Sequence, residues 1–179
     1  SMASSGTPED QAMILQIARW IHSSERILVI TGAGVSADSG MPTYRGIGGL
    51  YTSGNTEEGL PIEVMLSHQT LVGQPQLCWK YISQLESNCR HAKPNATHAI
   101  LAQLENERPH LWVLTQNVDG FHRQAGTKNL IEIHGNFEKL YCMKCGASEE
   151  VDNYAHLTLP PICNQCGGTI RPNVVLFGE

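Results

Sequence analysis

Two pairs of cysteines near the end of the chain constrain its fold more than any other feature. Cys142 and Cys145 form one Cys-x-x-Cys unit, Cys163 and Cys166 form a second, and seventeen residues lie between them. Each unit makes a tight turn that brings two thiolates to one ion, and four sulfur ligands complete a tetrahedron around zinc. Because such a closed shell leaves no position for a catalytic water, we expect a structural zinc module over residues 141–170.

The chain before this module has the pattern of a nucleotide-binding α/β domain. The apolar run 27–30 is typical of a strand buried on both faces, and it leads directly into a glycine-rich turn. A second apolar run, 111–114, ends in the polar segment 115–120. Parallel sheets place ligands at the carboxyl ends of such strands. The sequence therefore predicts a Rossmann-like parallel sheet with a small inserted zinc-binding module.

The remaining elements are expected from apolar periodicity. Helices are predicted over four segments, 9–22, 61–67, 75–89 and a segment that begins near Pro94. Further short strands are predicted over 131–133 and 174–179. We therefore divide the chain into 9–140, the first part of the Rossmann-like domain; 141–170, the zinc-binding module; and 171–179, a strand that returns to the Rossmann-like domain.

Composition argues against several other classes of protein. The formal net charge is −5 and no Lys/Arg run is present, which argues against direct nucleic-acid binding. No apolar run approaches the roughly 20 residues that span a bilayer, and the N-terminus lacks the features of a signal peptide. The sequence thus predicts a soluble, cytoplasmic protein that makes no membrane contact.

The glycine turn by itself leaves two interpretations open. Gly32 and Gly34 match the start of a dinucleotide fingerprint, but Gly40 lies too far along to be its third glycine. No acidic residue closes a second strand about 20 residues later, where ribose is usually bound. A plain strand–helix turn and a phosphate-binding loop fit the glycines equally well. Arg45, close to the turn, favours contact with an anion or a ribose.

Several segments, in order along the chain, resemble the sirtuin family. Residues 32–45, GAGVSADSGMPTYR, resemble the family pattern GAGxSxxSGIPxFR. Residues 115–126, TQNVDGFHRQAG, resemble TQNxDxLHxxAG, with phenylalanine in place of the usual leucine. His134-Gly135, the four cysteines and residues 171–179, RPNVVLFGE, follow in the family's order. The resemblance spans residues 27–179 and implies a zinc-bearing, NAD-dependent protein-lysine deacylase.

The resemblance also implies a set of site residues. The NAD phosphates and ribose would be surrounded by residues of the first segment: Gly32, Ala33, Gly34, Ala37, Asp38, Thr43, Tyr44 and Arg45. The nicotinamide pocket would be lined by Gln116, Asn117, Val118 and Asp119. The loop 46–60 would close over the cofactor. The acyl-lysine protein substrate would lie against Val175, Phe177, Gly178 and Glu179.

His134 and Asn117 are the catalytic residues that the resemblance implies, and His134 would also contact the cofactor. A histidine with an ordinary pKa near 6.5 can accept a ribose hydroxyl proton at neutral pH. The acyl group would then pass from lysine to ADP-ribose, with nicotinamide released as a product. Considered without the family, a His-Gly pair after a strand is more often structural.

Two alternative functions stay open. Mono-ADP-ribosyl transfer would use the same cofactor site and differ in its acceptor. Sirtuins also continue past Phe-Gly-Glu into strands that complete the adenosine half of the site, so we expect this chain to be truncated and its parallel sheet to be incomplete. A catalytically impaired fragment that binds zinc and NAD, the latter with much lower affinity than a full-length relative, is the second alternative.

The acyl preference is predicted from one helix. Some sirtuins carry Tyr-x-x-Arg before Pro-Asn-x-x-His and use that pair to recognise acidic acyl groups such as succinyl. Aligned on Trp79 and on Pro94-Asn95, those positions fall on Ile82 and Leu85. An apolar pair cannot neutralise a buried carboxylate. We therefore expect removal of acetyl or longer neutral acyl groups rather than desuccinylation.

Overall fold

The computed structural model describes residues 6–41 and 55–179. Helices and strands alternate in its first part, and short strands dominate the rest. In chain order the elements are α1 Pro8–Ser23, β1 Ile27–Thr31, α2 Ala33–Ser36, a 3₁₀ turn Ala37–Ser39, α3 Ile62–Met65, α4 His68–Gly73, α5 Pro75–His91, α6 Ala96–Glu107, β2 Leu111–Thr115, α7 Phe121–Gln124, β3 Leu130–Glu132, β4 Gly135–Cys142, β5 Ser148–Glu150 and β6 Ile170–Val174.

The first sheet is parallel, with strand order β1-β2-β3. Its strands β1 and β2 are the two apolar runs that the sequence predicted, and they pair from Ile27↔Leu111 to Thr31↔Thr115. The expected burial of both faces is wrong, because alternate side chains of these strands, Leu28, Ile30 and Trp112, are exposed. The third strand begins one residue earlier than predicted, at Leu130. The carboxyl ends of β1 and β2 therefore lie side by side, which is where ligands bind in sheets of this kind.

The second sheet is antiparallel, with order β5-β4-β6. The strand predicted over 174–179 was misplaced, because the regular strand ends at Val174 and pairs with β4 rather than with the parallel sheet. Beyond it the chain makes isolated contacts, including a single bridge between Ser67 and Phe177. The sequence does not indicate strand β6, because its second and third residues are the charged Arg171 and the proline Pro172.

Two predicted helices illustrate how caps set helix ends. The helix predicted over 9–22 is α1, which Thr7 caps by accepting a hydrogen bond from the amide of Asp10. The helix expected from Pro94 begins two residues later, because Asn95 is its N-cap and Ala96 its first helical residue. The proline therefore precedes the cap instead of occupying the first turn.

The hydrophobic core lies between helices α3–α5 and the antiparallel sheet. Trp79 of α5 is fully buried, and its indole nitrogen donates to the carbonyl of Ile170 at 2.9 Å. Tyr154 packs against the same ring at 5.5 Å between centroids and donates its hydroxyl proton to the carbonyl of Phe137. These contacts hold α5 against the second sheet, and other residues of α5 line the cavity described below.

Helix α1 contributes nothing to this core. None of its residues is buried, and Met13, Ile14 and Ile17 on its apolar face are exposed. Within 6–41 and 55–179, no helix is long and apolar enough to cross a membrane.

Candidate functional site

A cavity of about 440 Å³ opens at the carboxyl ends of β1 and β2. One side carries polar residues that follow these strands, and the other is formed by α5, β4 and the segment after β6. Ten residues that the sequence assigned to a site line this cavity: Ala33, Gln116, Asn117, Val118, Asp119, His134, Val175, Phe177, Gly178 and Glu179. The fold thus brings together residues from four separate segments of the chain.

The other predicted cofactor residues fall into two groups, those that the structure places outside the cavity lining and those that lie outside the described residues. Gly32 lies at the edge of the cavity, where its carbonyl accepts a hydrogen bond from Asn117. Gly34, Ala37 and Asp38 are exposed on α2 and the 3₁₀ turn. The last group lies outside the described residues and comprises Thr43, Tyr44, Arg45 and most of the loop 46–60.

Hydrogen bonds fix the polar side of the cavity. The Asn117 amide donates to the carbonyl of Gly32 at 2.9 Å and to the hydroxyl of Ser36 at 3.3 Å. The Ser36 hydroxyl in turn donates to a carboxylate oxygen of Asp119 at 2.6 Å, and the other oxygen accepts from the amide of Phe121. Sequence reasoning gave Ser36 no role, although it lies inside the first motif and is the one buried residue of α2.

His134 is oriented by the backbone. Its Nδ1 lies 3.0 Å from the carbonyl oxygen of Gln116. A carbonyl can only accept, so Nδ1 carries the proton in the neutral ring and Nε2 keeps its lone pair. The backbone carbonyl of His134 accepts from the amide of Val175 at 2.9 Å. His134 is therefore held through its ring at the end of β2 and through its backbone at the segment after β6.

The glycine after this histidine is required by a close backbone approach. Gly135 has φ +79°, and a Cβ built on it would lie 1.8 Å from the carbonyl oxygen of Asn173. No side chain fits at that distance, and positive φ adds strain for any other residue. The His-Gly pair is thus explained structurally by the need to turn the histidine against β6.

The other side of the cavity is apolar. Ile82 and Leu85, which the sequence placed at the acyl-selective positions, line it. Leu66, Cys89 and Phe137 line it as well, and no local pattern in the sequence indicated them. Burial raises the pKa of the Cys89 thiol to about 12, so this side chain is a neutral, weakly polar part of the wall.

The segment Val175–Glu179 forms the rim of the cavity. Val175 and Phe177 are half exposed, whereas the Glu179 carboxylate turns inward onto the guanidinium of Arg171. It also accepts from the amide of Leu176 at 2.8 Å and lies 3.0 Å from Nδ1 of His68. Pairing with Arg171 lowers the pKa of Glu179 to about 2. The Glu179 carboxylate therefore stabilises the conformation of the rim through its contacts with Arg171 and Leu176.

The four paired cysteines form a group that fits a metal ion. Their sulfur atoms all lie within 4.8 Å of one another, with Cys142 and Cys166 at 3.5 Å and Cys145 and Cys163 at 3.7 Å. Such separations suit tetrahedral zinc with Zn–S bonds of about 2.3 Å. Amides of Cys145 and Lys144 lower the pKa of the Cys142 thiol to about 6, which favours the thiolate form that a metal needs.

The chain's own geometry also fits NAD. Apart from its own helical turn, no atom of the described residues would lie within 4 Å of a Cβ placed on Gly34, so this part of the chain leaves space for a ligand beside the exposed glycine turn. The adjoining cavity presents amide and carboxylate groups whose orientation is already fixed by hydrogen bonds. Such preorganised polar groups beside an apolar chamber are typical of small-molecule sites.

Comparison with known proteins gives a consistent result. The sequence profile of the Sir2 family matches residues 32–179. The chain is 56% identical over 174 residues to the NAD-dependent protein deacylase 2 of Pseudomonas aeruginosa, covering 96% of this chain and 68% of that protein. It is 40% identical over 157 residues to the NAD-dependent protein deacylase of Aquifex aeolicus, covering 86% of this chain and 62% of that protein.

Solved structures show the same likeness. A mutant Sir2 homologue in complex with ADP-ribose superposes with a TM-score of 0.81 at 34% identity, covering 92% of this chain and 64% of that one. Sir2 with a deacetylated p53 peptide and 3′-O-acetyl ADP-ribose superposes with a TM-score of 0.80 at 31% identity, covering 93% and 66%. The chain thus spans about two thirds of the length of the proteins it matches.

Proposed function

The chain belongs to the Sir2 family, and on this premise we propose that it is an NAD-dependent protein-lysine deacylase. The reaction would move the acyl group from a lysine side chain of a protein substrate to ADP-ribose and release nicotinamide. The observation that carries the proposal is the orientation of His134, which lines the cavity while its Nδ1 lies 3.0 Å from the carbonyl oxygen of Gln116 and leaves Nε2 as the acceptor of the neutral ring. A base in that state can accept a hydroxyl proton without first losing one.

Each side of the cavity would hold a different reactant. When bound, NAD supplies a ribose carbon made electrophilic by its nicotinamide leaving group. On the polar side, Asn117 and Asp119 are held in place by Gly32 and Ser36, so they are oriented before any ligand arrives. Little reorganisation is then needed on binding, which is how fixed dipoles contribute most to catalysis. The rim Val175–Glu179 would position the substrate lysine opposite them.

The apolar side supports deacetylation over desuccinylation. Ile82 and Leu85 line the cavity together with Leu66 and Phe137. No lysine or arginine is among the described residues that line it. A succinyl carboxylate placed there would lose its hydration without gaining a partner, which costs several kcal/mol by order of magnitude. We therefore propose acetyl and longer neutral acyl groups as the substrates.

One experiment tests reaction and acyl preference together. The chain is incubated with NAD and peptides that carry acetyl-, succinyl- or myristoyl-lysine, and the products are analysed by mass spectrometry. We expect acyl-ADP-ribose and free nicotinamide, with acetyl and myristoyl peptides consumed faster than the succinyl peptide. Faster succinyl removal would contradict the preference, and ADP-ribosylated protein in place of acyl-ADP-ribose would contradict the reaction. A cytoplasmic location stays a prediction of the sequence.

A further inference from the structure

Asn95 connects a helix end to the glycine-turn segment sixty residues earlier in the chain. Its side-chain oxygen accepts from the amide of Thr97 at 2.9 Å and so caps α6. Its amide nitrogen donates in the opposite direction, to the carbonyl of Val35 at 2.7 Å and to the hydroxyl of Ser39 at 3.0 Å. One side chain thus completes α6 and holds α2 with its 3₁₀ turn.

Among the described residues, the side chains that hydrogen-bond to the segment Ala33–Ser39 are those of Asn95, Asn117 and Asp119. This segment consists of one helical turn and one 3₁₀ turn, which are too short to be stable by themselves. Its only buried residue is Ser36, which donates a hydrogen bond to Asp119, a residue that lines the cavity. Asn117 and Asp119 hold this segment at Ser36, and within 6–41 and 55–179 the two hydrogen bonds from Asn95 are the side-chain contacts that hold it at Val35 and Ser39.

A buried histidine supports Asn95 from behind. His98 is fully buried, and its Nδ1 accepts from the backbone amide of Asn95 at 3.0 Å. Burial lowers the pKa of His98, so the ring stays a neutral acceptor at neutral pH. Its ring lies edge-on to that of His122 at 4.9 Å, and His122 is 2.8 Å from the hydroxyl of Thr31. Asn95, His98 and His122 therefore form one group that contacts the chain before the glycine turn at Thr31 and after it at Val35.

We propose that Asn95 is a positioning residue for cofactor binding. It does not line the cavity, and it acts by holding the Ala33–Ser39 backbone in the orientation that the cofactor requires. The inference rests on the proposed function, because it presumes that the glycine turn takes the ADP-ribose part of NAD. The sequence around Asn95 indicates only the start of a helix, and it does not reveal the contacts of Asn95 with Val35 and Ser39.

The test compares two asparagines that make equivalent bonds in different places. Asn95→Ser keeps a good N-cap residue but is too short to reach both Val35 and Ser39. The matched control is Asn129→Ser, because the Asn129 amide also donates twice, to the carbonyls of Pro109 and Leu111, both at 3.1 Å and away from the cavity. ADP-ribose binding is measured by calorimetry and stability by thermal unfolding of the same samples.

We expect Asn95→Ser to weaken ADP-ribose binding about tenfold, as the loss of two hydrogen bonds at a binding segment implies, and Asn129→Ser to change it less than twofold. The KM for NAD should rise while the KM for an acetyl-lysine peptide stays constant. Asn95→Asp, which also keeps the cap, provides a second variant should the first unfold, and its affinity should fall at least as far.

Two results would overturn the inference, and they are distinguishable. If the unmodified chain binds ADP-ribose and the Asn95 variants bind it as tightly as the Asn129→Ser control, Asn95 has no positioning role while the proposed function stands. If the unmodified chain binds no ADP-ribose at millimolar concentration, the proposed function fails and this inference fails with it.

Discussion

The ion pair at the rim of the cavity gives the sharpest prediction about stability. We consider Glu179→Gln, which keeps the size of the side chain and removes its charge. The guanidinium of Arg171, only 5% exposed, then loses its carboxylate partner. Arg171 keeps a hydrogen bond to the carbonyl of Val174 at 2.7 Å, but nothing else in the described residues around it neutralises the charge. A buried cation without a counter-ion is strongly destabilising.

The magnitude follows from the pKa of the acid. Pairing lowers the pKa of Glu179 from 4.5 to about 2, which corresponds to about 3 kcal/mol of stability at neutral pH. Its side chain is 21% exposed, so solvent screening reduces that value, whereas the unpaired Arg171 adds to the loss. We therefore expect Glu179→Gln to cost about 3 kcal/mol. For a chain of this length that is a fall of about 6–12 °C in Tm.

The pH dependence has a definite sign. A carboxyl whose pKa is depressed in the folded state contributes stability that is present above its unfolded pKa. That contribution disappears as pH falls from 4.5 toward 2. The difference in Tm between the unmodified chain and Glu179→Gln should therefore be full at pH 7 and shrink progressively below pH 4.5.

Thermal unfolding followed by circular dichroism measures both effects. The matched control is Glu57→Gln, because Glu57 also pairs with a cation, Lys80 at 2.7 Å, but is 81% exposed. Such a surface pair contributes less than about 1 kcal/mol. The reasoning is refuted if Glu179→Gln lowers Tm no more than the control does, or if the difference between variant and parent is unchanged at acidic pH.

Two further predictions concern the histidine turn and the metal. Gly135→Ala should reduce deacylation at least a hundredfold, because a Cβ 1.8 Å from the Asn173 carbonyl must displace His134; retained turnover in a folded variant would contradict this. The protein should contain one zinc per chain by atomic absorption, and Cys163→Ser should lose the metal and unfold at a lower temperature. Full zinc content in that variant would argue against the four-cysteine site.

Local patterns predicted the sheet and the metal-binding group well. The runs 27–30 and 111–114 are continuous and apolar, and this signal lies within a few neighbouring residues, although one face of each strand stays open, with Leu28, Ile30 and Trp112 exposed. The cysteine pairs are equally local, since each Cys-x-x-Cys turn places two sulfurs together. Features of this kind can be predicted because the residues that determine them are close in sequence.

Features that depend on distant partners could not be predicted. The role of Ser36 comes from Asp119, eighty-three residues away, and the contact of Asn95 with Val35 spans sixty. The strand at β6 was missed for a related reason. Its residues Arg171 and Pro172 have low strand propensity, and they are held there by pairing with β4 and by the ion pair to Glu179.

His134 is the point at which the two sides of the cavity meet. Its Nδ1 is held by Gln116, which follows β2 on the polar side, and its carbonyl is held by Val175 on the rim. The polar side is positioned by Asn117 and Asn95, whereas the rim is positioned by the Arg171–Glu179 ion pair. Disturbing either support therefore affects one reactant first, yet both supports are connected to His134, one through its ring and one through its backbone. His134 is thus correctly placed for both reactants only while the hydrogen bonds of the polar side and the ion pair of the rim are intact. We therefore expect substitutions at residues far from the reacting atoms to lower the rate of deacylation.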